Sequence, residues 1–391
     1  MNVLFIAYHP VSYPVMLSQG LPYMSGLSRN GVRYSLLTFE TDKSKTCSGR
    51  YISEFGAPVK WRYLTYHNRP RIAATIFDVT LGILTVTYMI LRDKIKIIHA
   101  RGFIPALIAL IPAKLFRVRL FFDTRGLLAD KYVCGGLLNK NGLSYKIMRY
   151  CEDLLLKHSD IFTVETDSHA EVVKKTQSYL TPKMRMIPCC VDMSKFDYRL
   201  YEYSREDEFR LVYSGQIGTW YLLDKMLDFF KIASQEFPRA HFTFISENDP
   251  AVFYSAAKRI GIDENKIIVR KADSKDIPNL LAAANVGVFF MNPYRRYNTF
   301  PIKFGEYLAS GLPVVVNSGI GDCDKMIRKE NVGAIVKDFS AGEYKISVGI
   351  LRLLLKEGEA LKKRCRLAAE ECCSLEKGIE GYWSIYKDLA G

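Results

Sequence analysis

The feature that most limits the fold of this 391-residue chain is an alternation, run through twice, of short β-branched stretches with longer helical ones. Parallel βαβ units give this pattern, because their strands are buried on both faces and each crossover needs a helix. In the first half the spacing predicts strands over 3–7, 34–39, 59–64, 95–99, 120–123, 161–164 and 184–187. In the second half it predicts strands over 211–214, 241–245, 266–269, 286–290, 314–316 and 334–336. Each series is long enough for its own sheet, so the expected class is α/β, with two doubly wound Rossmann-like domains facing each other across a cleft. The boundary is expected in the polar stretch 191–209, giving domains of 1–200 and 201–377.

Hydrophobic residues make up 49% of the chain and charged residues 25%, a balance that excludes a disordered chain. The opening MNVLFIAYHPV lacks a basic leader and reads as a first strand rather than a secretory signal. Nine cysteines, an odd number with no Cys-x-x-Cys, suggest neither a disulfide framework nor a zinc site, and fit a reducing, cytoplasmic setting. Residues 72–91 form an apolar run long enough to span a bilayer, yet they sit inside the βαβ series. A spanning helix would sever that sheet, so a mostly buried crossover helix is expected there.

The net charge of +14 is concentrated in one half. Residues 1–200 carry 28 Lys and Arg against 15 Asp and Glu, whereas 201–391 carry 27 against 26. A basic first half points to an anionic partner, either a phosphate-bearing substrate or an anionic membrane surface. No nucleic-acid module is visible.

The sharpest motif runs from Asn298 to Val316, NTFPIKFGEYLASGLPVVV. It predicts a helix opening near Pro301, a glycine exit at Gly311 and a buried strand. A helix N-terminus suits a pyrophosphate, and Lys303 in its first turn opposes the dipole unless it answers an anion. Glu306, one turn further, can accept from two vicinal hydroxyls such as those of a ribose.

This segment, with LVYSGQIGTW (Leu211 to Trp220) and the Ile187-Pro-Cys-Cys-Val-Asp192 step, resembles the GT-B-fold glycosyltransferases of family 4. The resemblance implies a retaining, nucleotide-sugar-dependent hexosyltransferase that needs no obligatory metal or other cofactor. In that family a Glu-x7-Glu pair marks the donor site. Its second member falls on Glu306 and its first on Asn298, a departure that keeps hydrogen-bonding capacity but not charge. The implied donor-binding residues are Gly215, Gln216, Gly218, Lys271, Asn298, Thr299, Lys303 and Glu306, with Lys303 and either Arg270 or Lys271 supplying positive charge.

In the first half, His99-Ala-Arg101 and Asp123-Thr-Arg125 follow predicted strands, where doubly wound folds place ligands. These look like acceptor-side positions of polysaccharide-assembling members: His99, Asp123 and Arg125 as catalytic residues, Gln19 and Arg101 as acceptor-binding ones. The first βα loop, residues 8–20, lacks G-x-G-x-x-G, and its apolar and aromatic content suits a polyprenyl-linked acceptor. In such folds a final helix, here 378–391, packs back on the N-terminal domain. The expected activity is sugar transfer to a glycan or lipid-linked hydroxyl in bacterial surface polysaccharide synthesis, such as lipopolysaccharide or capsule, at the inner face of the membrane. A nucleotide-sugar 2-epimerase of the same fold and a non-catalytic nucleotide-sugar or membrane-binding scaffold stay open as alternatives. Asp322-Cys-Asp324 is the nearest approach to an Asp-x-Asp metal motif.

Overall fold

A computed structural model describes every residue except 57, 201–207, 219 and 293–299. The chain forms two compact units. Met1–Val133, Leu138–Pro188 and Leu375–Gly391 make unit 1; Cys134–Leu137 and Cys189–Ser374 make unit 2. The main passage between them therefore lies at Pro188 and Cys189, just ahead of the polar stretch expected to hold it. Cys189, Val191, Met193 and Phe196 explain the shift, because these buried apolar side chains belong to the core of unit 2.

Unit 1 is built on seven strands: β1 (Asn2–Ala7), β2 (Arg33–Glu40), β3 (Val59–Thr65), β4 (Ile97–Arg101), β5 (Arg119–Asp123), β6 (Ile161–Val164) and β7 (Met184–Met186). They pair in parallel in the order β3-β2-β1-β4-β5-β6-β7. The central strands are largely buried, β4 at every position, as a sheet covered on both faces requires. The fourth strand lies two residues later than expected, since Ile95 still donates its backbone N–H to Ile90 of the preceding helix. Arg101 is thereby brought into the strand end.

Unit 2 repeats the scheme with β8 (Glu208–Ser214), β9 (Arg239–Ile245), β10 (Ile267–Arg270), β11 (Val286–Phe289), β12 (Val314–Asn317) and β13 (Gly333–Val336). Their order is β10-β9-β8-β11-β12-β13, again parallel. Both sheets reverse direction beside their first strand, between β1 and β4 and between β8 and β11. Ligands of open α/β sheets bind at the carboxyl ends of strands at such reversals. Gly287 in β11 leaves room for the Tyr307 ring, which a Cβ there would strike. The Tyr307 hydroxyl then accepts from the Ser214 backbone N–H at 2.8 Å, fixing the end of β8.

Two helices of unit 1 bear on function. The last helix, Leu375–Ala390, packs on the helix Leu21–Arg29, where Gly26 admits Ile379, and on β4. The long helix Arg71–Asp93 corrects the expectation of a mostly buried crossover: only 33% of its most apolar window is buried. It is one-sided, with Ala74, Asp78, Gly82, Val86 and Met89 turned inward.

Candidate active site

In unit 2, β8 ends at Ser214 and opens into a loop with Gly215 and Gly218 at φ +127° and +125°, a region that side chains with a Cβ rarely adopt. The loop is held from within. The Tyr213 hydroxyl donates to the Gln216 carbonyl at 2.7 Å, and the Ile217 N–H donates to Asn248 Oδ1 at 2.9 Å. Across the strand reversal, buried Asn317 bonds both backbone groups of Met291, accepting at 2.8 Å and donating at 3.1 Å. The helix Ile302–Ala309 begins after Pro301, whose extended backbone sets the entry and whose ring offers its first N–H groups no side-chain cap.

Lys303, in the first turn of that helix, is 5% exposed. Its Nζ lies 3.6 Å from the Tyr221 ring centroid and 4.1 Å from that of Tyr213, and among the described residues it has no hydrogen-bond partner. A Cβ on Gly215 would stand 2.9 Å from it, so the ammonium faces bare backbone. Burial pushes the Lys303 ammonium well below its ordinary pKa, opposed by the nearby charge of Glu306. Glu306 is half-buried, and burial raises its carboxyl to about 7 against the pull of Lys303 and Lys195. A buried ammonium packed against two tyrosine rings set edge to face, beside a glycine loop and a helix N-terminus entered through proline, is arranged to receive an anion.

The other donor-side positions are less concentrated. Gln216 is exposed and serves the loop through its carbonyl. Lys271 is exposed just past β10, two strands across from Gly215. Asn298 and Thr299 lie outside the described residues. Sequence reasoning missed Tyr213, Tyr221 and Lys195. The two tyrosines bracket the glycine loop, but nothing in their spacing shows that both rings face one lysine. Lys195 falls in the stretch read as a domain boundary.

In unit 1 the predicted residues meet at the carboxyl ends of β4 and β5, but not as a set open to substrate. Asp123, 1% exposed, accepts from Arg101 Nη1 at 2.6 Å, from Thr163 at 2.8 Å and from Tyr382 at 3.0 Å, with His99 Nε2 at 3.5 Å. Burial works to raise its pKa, yet Arg101 and Arg125 outweigh burial and hold the carboxyl well below the usual range. Asp123 is therefore ionised, so the His99 nitrogen facing it carries the proton. His99 Nδ1 then accepts from the Tyr386 hydroxyl at 2.7 Å, and Tyr386 accepts from Tyr34 at 3.2 Å. Burial lowers the His99 pKa and keeps the ring neutral. His99 and Asp123, expected as catalytic, thus spend their polar atoms holding the last helix to the sheet through Tyr386 and Tyr382.

Arg101 and Arg125 differ from that pair. Arg101 is buried, and its Nε and Nη2 have no partner among the described residues. Arg125 holds φ +52° in the loop after β5, a conformation costing a non-glycine residue roughly 1–2 kcal/mol. It pairs with Glu165 at 3.1 Å and reaches buried Gln19 at 3.5 Å. His9, after β1, is pushed down to about 4 by burial, with Arg101 adding to the effect.

Among the described residues no three His, Cys, Asp or Glu side chains are grouped to hold a metal ion. Asp324, in the Asp322-Cys-Asp324 step, accepts from the Gly319 N–H at 2.9 Å.

Residues 199–371 match the model of a family described as glycosyl transferases group 1. No curated protein matches the chain in sequence. Solved structures match along its whole length. Sucrose-phosphate synthase from Thermosynechococcus elongatus is 15% identical with a TM-score of 0.73, covering 99% of this chain and 98% of its own. A glycosyltransferase from Rickettsia africae ESF-5 is 12% identical at 0.75, covering 100% and 98%. Anabaena HepE, solved with UDP, is 14% identical at 0.70, covering 99% and 100%. The fold is GT-B. The segment that matches the group 1 glycosyl transferase model lies within unit 2, and so does Lys303.

Proposed function

We propose that this protein is a retaining glycosyltransferase. Unit 2 holds a nucleotide sugar, and the sugar passes to a hydroxyl of a glycan or lipid-linked acceptor bound by unit 1. The observation that carries the reading is the Lys303 ammonium, unpartnered among the described residues, beside the Gly215 loop and the N-terminus of Ile302–Ala309. The donor diphosphate receives hydrogen bonds from the first-turn N–H groups and charge from Lys303. Glu306, one turn deeper, accepts from the ribose hydroxyls. The complexes of HepE with UDP and UDP-glucose support a nucleotide-sugar donor for this chain.

Retention follows if the acceptor hydroxyl attacks on the face that the leaving diphosphate vacates, with a diphosphate oxygen taking its proton. The new C–O bond then replaces the old one on the same side of the ring, and the nucleoside diphosphate departs. The protein's part is to neutralise charge and to position. Lys303 stabilises the charge that grows on the leaving oxygen. Arg125, with Gln19 and the Nε and Nη2 groups of Arg101, orients the acceptor, while His99 and Asp123 hold the strand ends that carry them.

A thermal-shift screen of UDP-, GDP- and ADP-sugars tests this, since only a ligand of the native state raises the midpoint. One nucleotide class should raise it. No shift with any of them removes the donor site. Product analysis with donor alone separates transfer from epimerisation: an isomerised nucleotide sugar overturns the transferase reading.

A further inference from the structure

We propose that the outer face of the helix Arg71–Asp93 lies flat on an anionic lipid bilayer, anchoring the protein in the membrane plane without crossing it. A water-facing crossover helix turns its polar residues outward and its apolar ones to the sheet. This helix does the reverse. Ile72, Ile76, Phe77, Leu84, Tyr88 and Leu91 form its outward stripe, with exposures from 48% at Tyr88 to 78% at Ile72. Both of its carboxylates, Asp78 and Asp93, are buried on the inward side.

The stripe continues onto neighbouring helices. Gly82 lets the helix approach Ile108 of Phe103–Leu115 closely, and Phe103–Leu115 in turn packs against Leu143–His158. Right-handed crossovers put all three on one face of the sheet. There Ile111 and Leu115, then Leu143 and Ile147, are also exposed, giving an apolar surface wider than one helix.

Charge identifies the occupant. Between residues 69 and 96 every exposed charge is positive: Arg69 and Arg71 at one end of the helix, Arg92, Lys94 and Lys96 at the other. Arg62 adds a cation 4.9 Å from the Tyr88 ring. An apolar stripe with cations at its rim matches a surface of acyl chains topped by anionic headgroups. At 23 residues the helix is long and apolar enough to span a membrane. It is instead clamped along the sheet. Asp78 accepts from Tyr8 at 2.8 Å and bonds His67 at 2.6 Å, while Asp93 accepts from Ser35 at 3.0 Å and pairs with Lys60 at 2.8 Å. The strands before and after it, β3 and β4, belong to the same sheet, so it cannot place its ends on opposite sides of a bilayer.

The test is co-sedimentation of the full chain with vesicles of phosphatidylcholine alone or mixed with phosphatidylglycerol, at low and high salt. Binding should require the anionic lipid and fall at least tenfold in high salt, because attraction is screened beyond about 8–10 Å at ordinary ionic strength. The double variant Ile76→Glu with Leu84→Glu should lose binding at least tenfold while its nucleotide affinity, measured in parallel, stays unchanged. That parallel measurement separates this proposal from the donor-site reading. If the double variant does not fold, Arg69→Gln with Arg71→Gln and Arg92→Gln replaces it, with the same loss expected. Equal binding to neutral vesicles, no binding to either, or binding untouched by the variants overturns the proposal. So does resistance to carbonate extraction, which means a spanning helix. Self-association that the double variant abolishes, without vesicle binding, assigns the face to a second copy and overturns it equally.

Discussion

The ammonium of Lys303 lies 3.6 Å from the centroid of the Tyr221 ring and makes no hydrogen bond among the described residues. A desolvated cation–π contact offsets about 2 kcal/mol, whereas burying an ion costs several. The balance is unfavourable without a ligand, which is the state expected of a group held ready for an anion. Lys303→Met should therefore lower nucleoside diphosphate affinity by about 10–100-fold, or about 1.5–3 kcal/mol for charge-assisted hydrogen bonds. The melting temperature should hold or rise. Calorimetric titration with a thermal melt checks both, and unchanged affinity with a lower melting temperature would assign Lys303 to structure alone.

Binding should also move protons. Burial lowers the Lys303 pKa and raises that of Glu306 to about 7, so in the protein alone burial favours the neutral form of each. An arriving diphosphate favours the protonated form of both groups, and complex formation should take up a proton near neutral pH. Titrations in buffers of different ionisation enthalpy measure this directly. Zero uptake in the native protein would contradict it, and Lys303→Met should reduce the uptake.

Glu306 has a separate signature in stability. Its folded pKa of about 7 exceeds the ordinary 4.5, so between those values the folded state holds more protons than the unfolded one. The stability this group contributes is full below pH 4.5 and is lost as pH rises through 7. Glu306→Gln should flatten that part of the curve in urea denaturation while weakening nucleotide binding. A curve identical to wild type would place the carboxyl in water.

Much of the fold could be read from local sequence, since parallel strands buried on both faces appear as unbroken β-branched runs. The glycine loop at Gly215 and the helix after Pro301 were visible for the same reason, as backbone needs that only certain residues meet. What escaped was set by partners far away in the chain. Asp123 and Tyr382 meet across 259 positions, so nothing near His-Ala-Arg or Asp-Thr-Arg showed that the last helix would occupy His99 and Asp123. The helix Arg71–Asp93 misled because apolar content predicts burial only when the surroundings are water, and half of this helix faces outward.

Donor activation should not depend on a divalent ion. Among the described residues no three candidate ligands are grouped, and Lys303 with the helix N-terminus already supplies positive potential where the diphosphate would sit. Turnover should persist in EDTA. Complete loss on chelation, with recovery on adding magnesium or manganese, would show that an ion shares this task.

The last helix should be tied to unit 1 through one carboxylate. Asp123 bonds the Tyr382 hydroxyl at 3.0 Å and Arg101 at 2.6 Å, and both partners are buried. Removing only the hydroxyl, in Tyr382→Phe, leaves Asp123 with its remaining donors and should cost about 1.5–3 kcal/mol, the range for a hydrogen bond to a charged group. Asp123→Ala is a harsher change. It leaves Arg101 buried without its counter-ion, which typically costs about 3–5 kcal/mol. Urea denaturation of both variants should reproduce this order, and hydrogen exchange should rise first in Leu375–Ala390. Nucleotide affinity should be unaffected in Tyr382→Phe, because the Lys303 site belongs to unit 2. If Asp123→Ala proves no less stable than Tyr382→Phe, the carboxylate is not the centre of the clamp, and the ring contacts of Tyr382 with Tyr23 and Phe121 hold the helix instead.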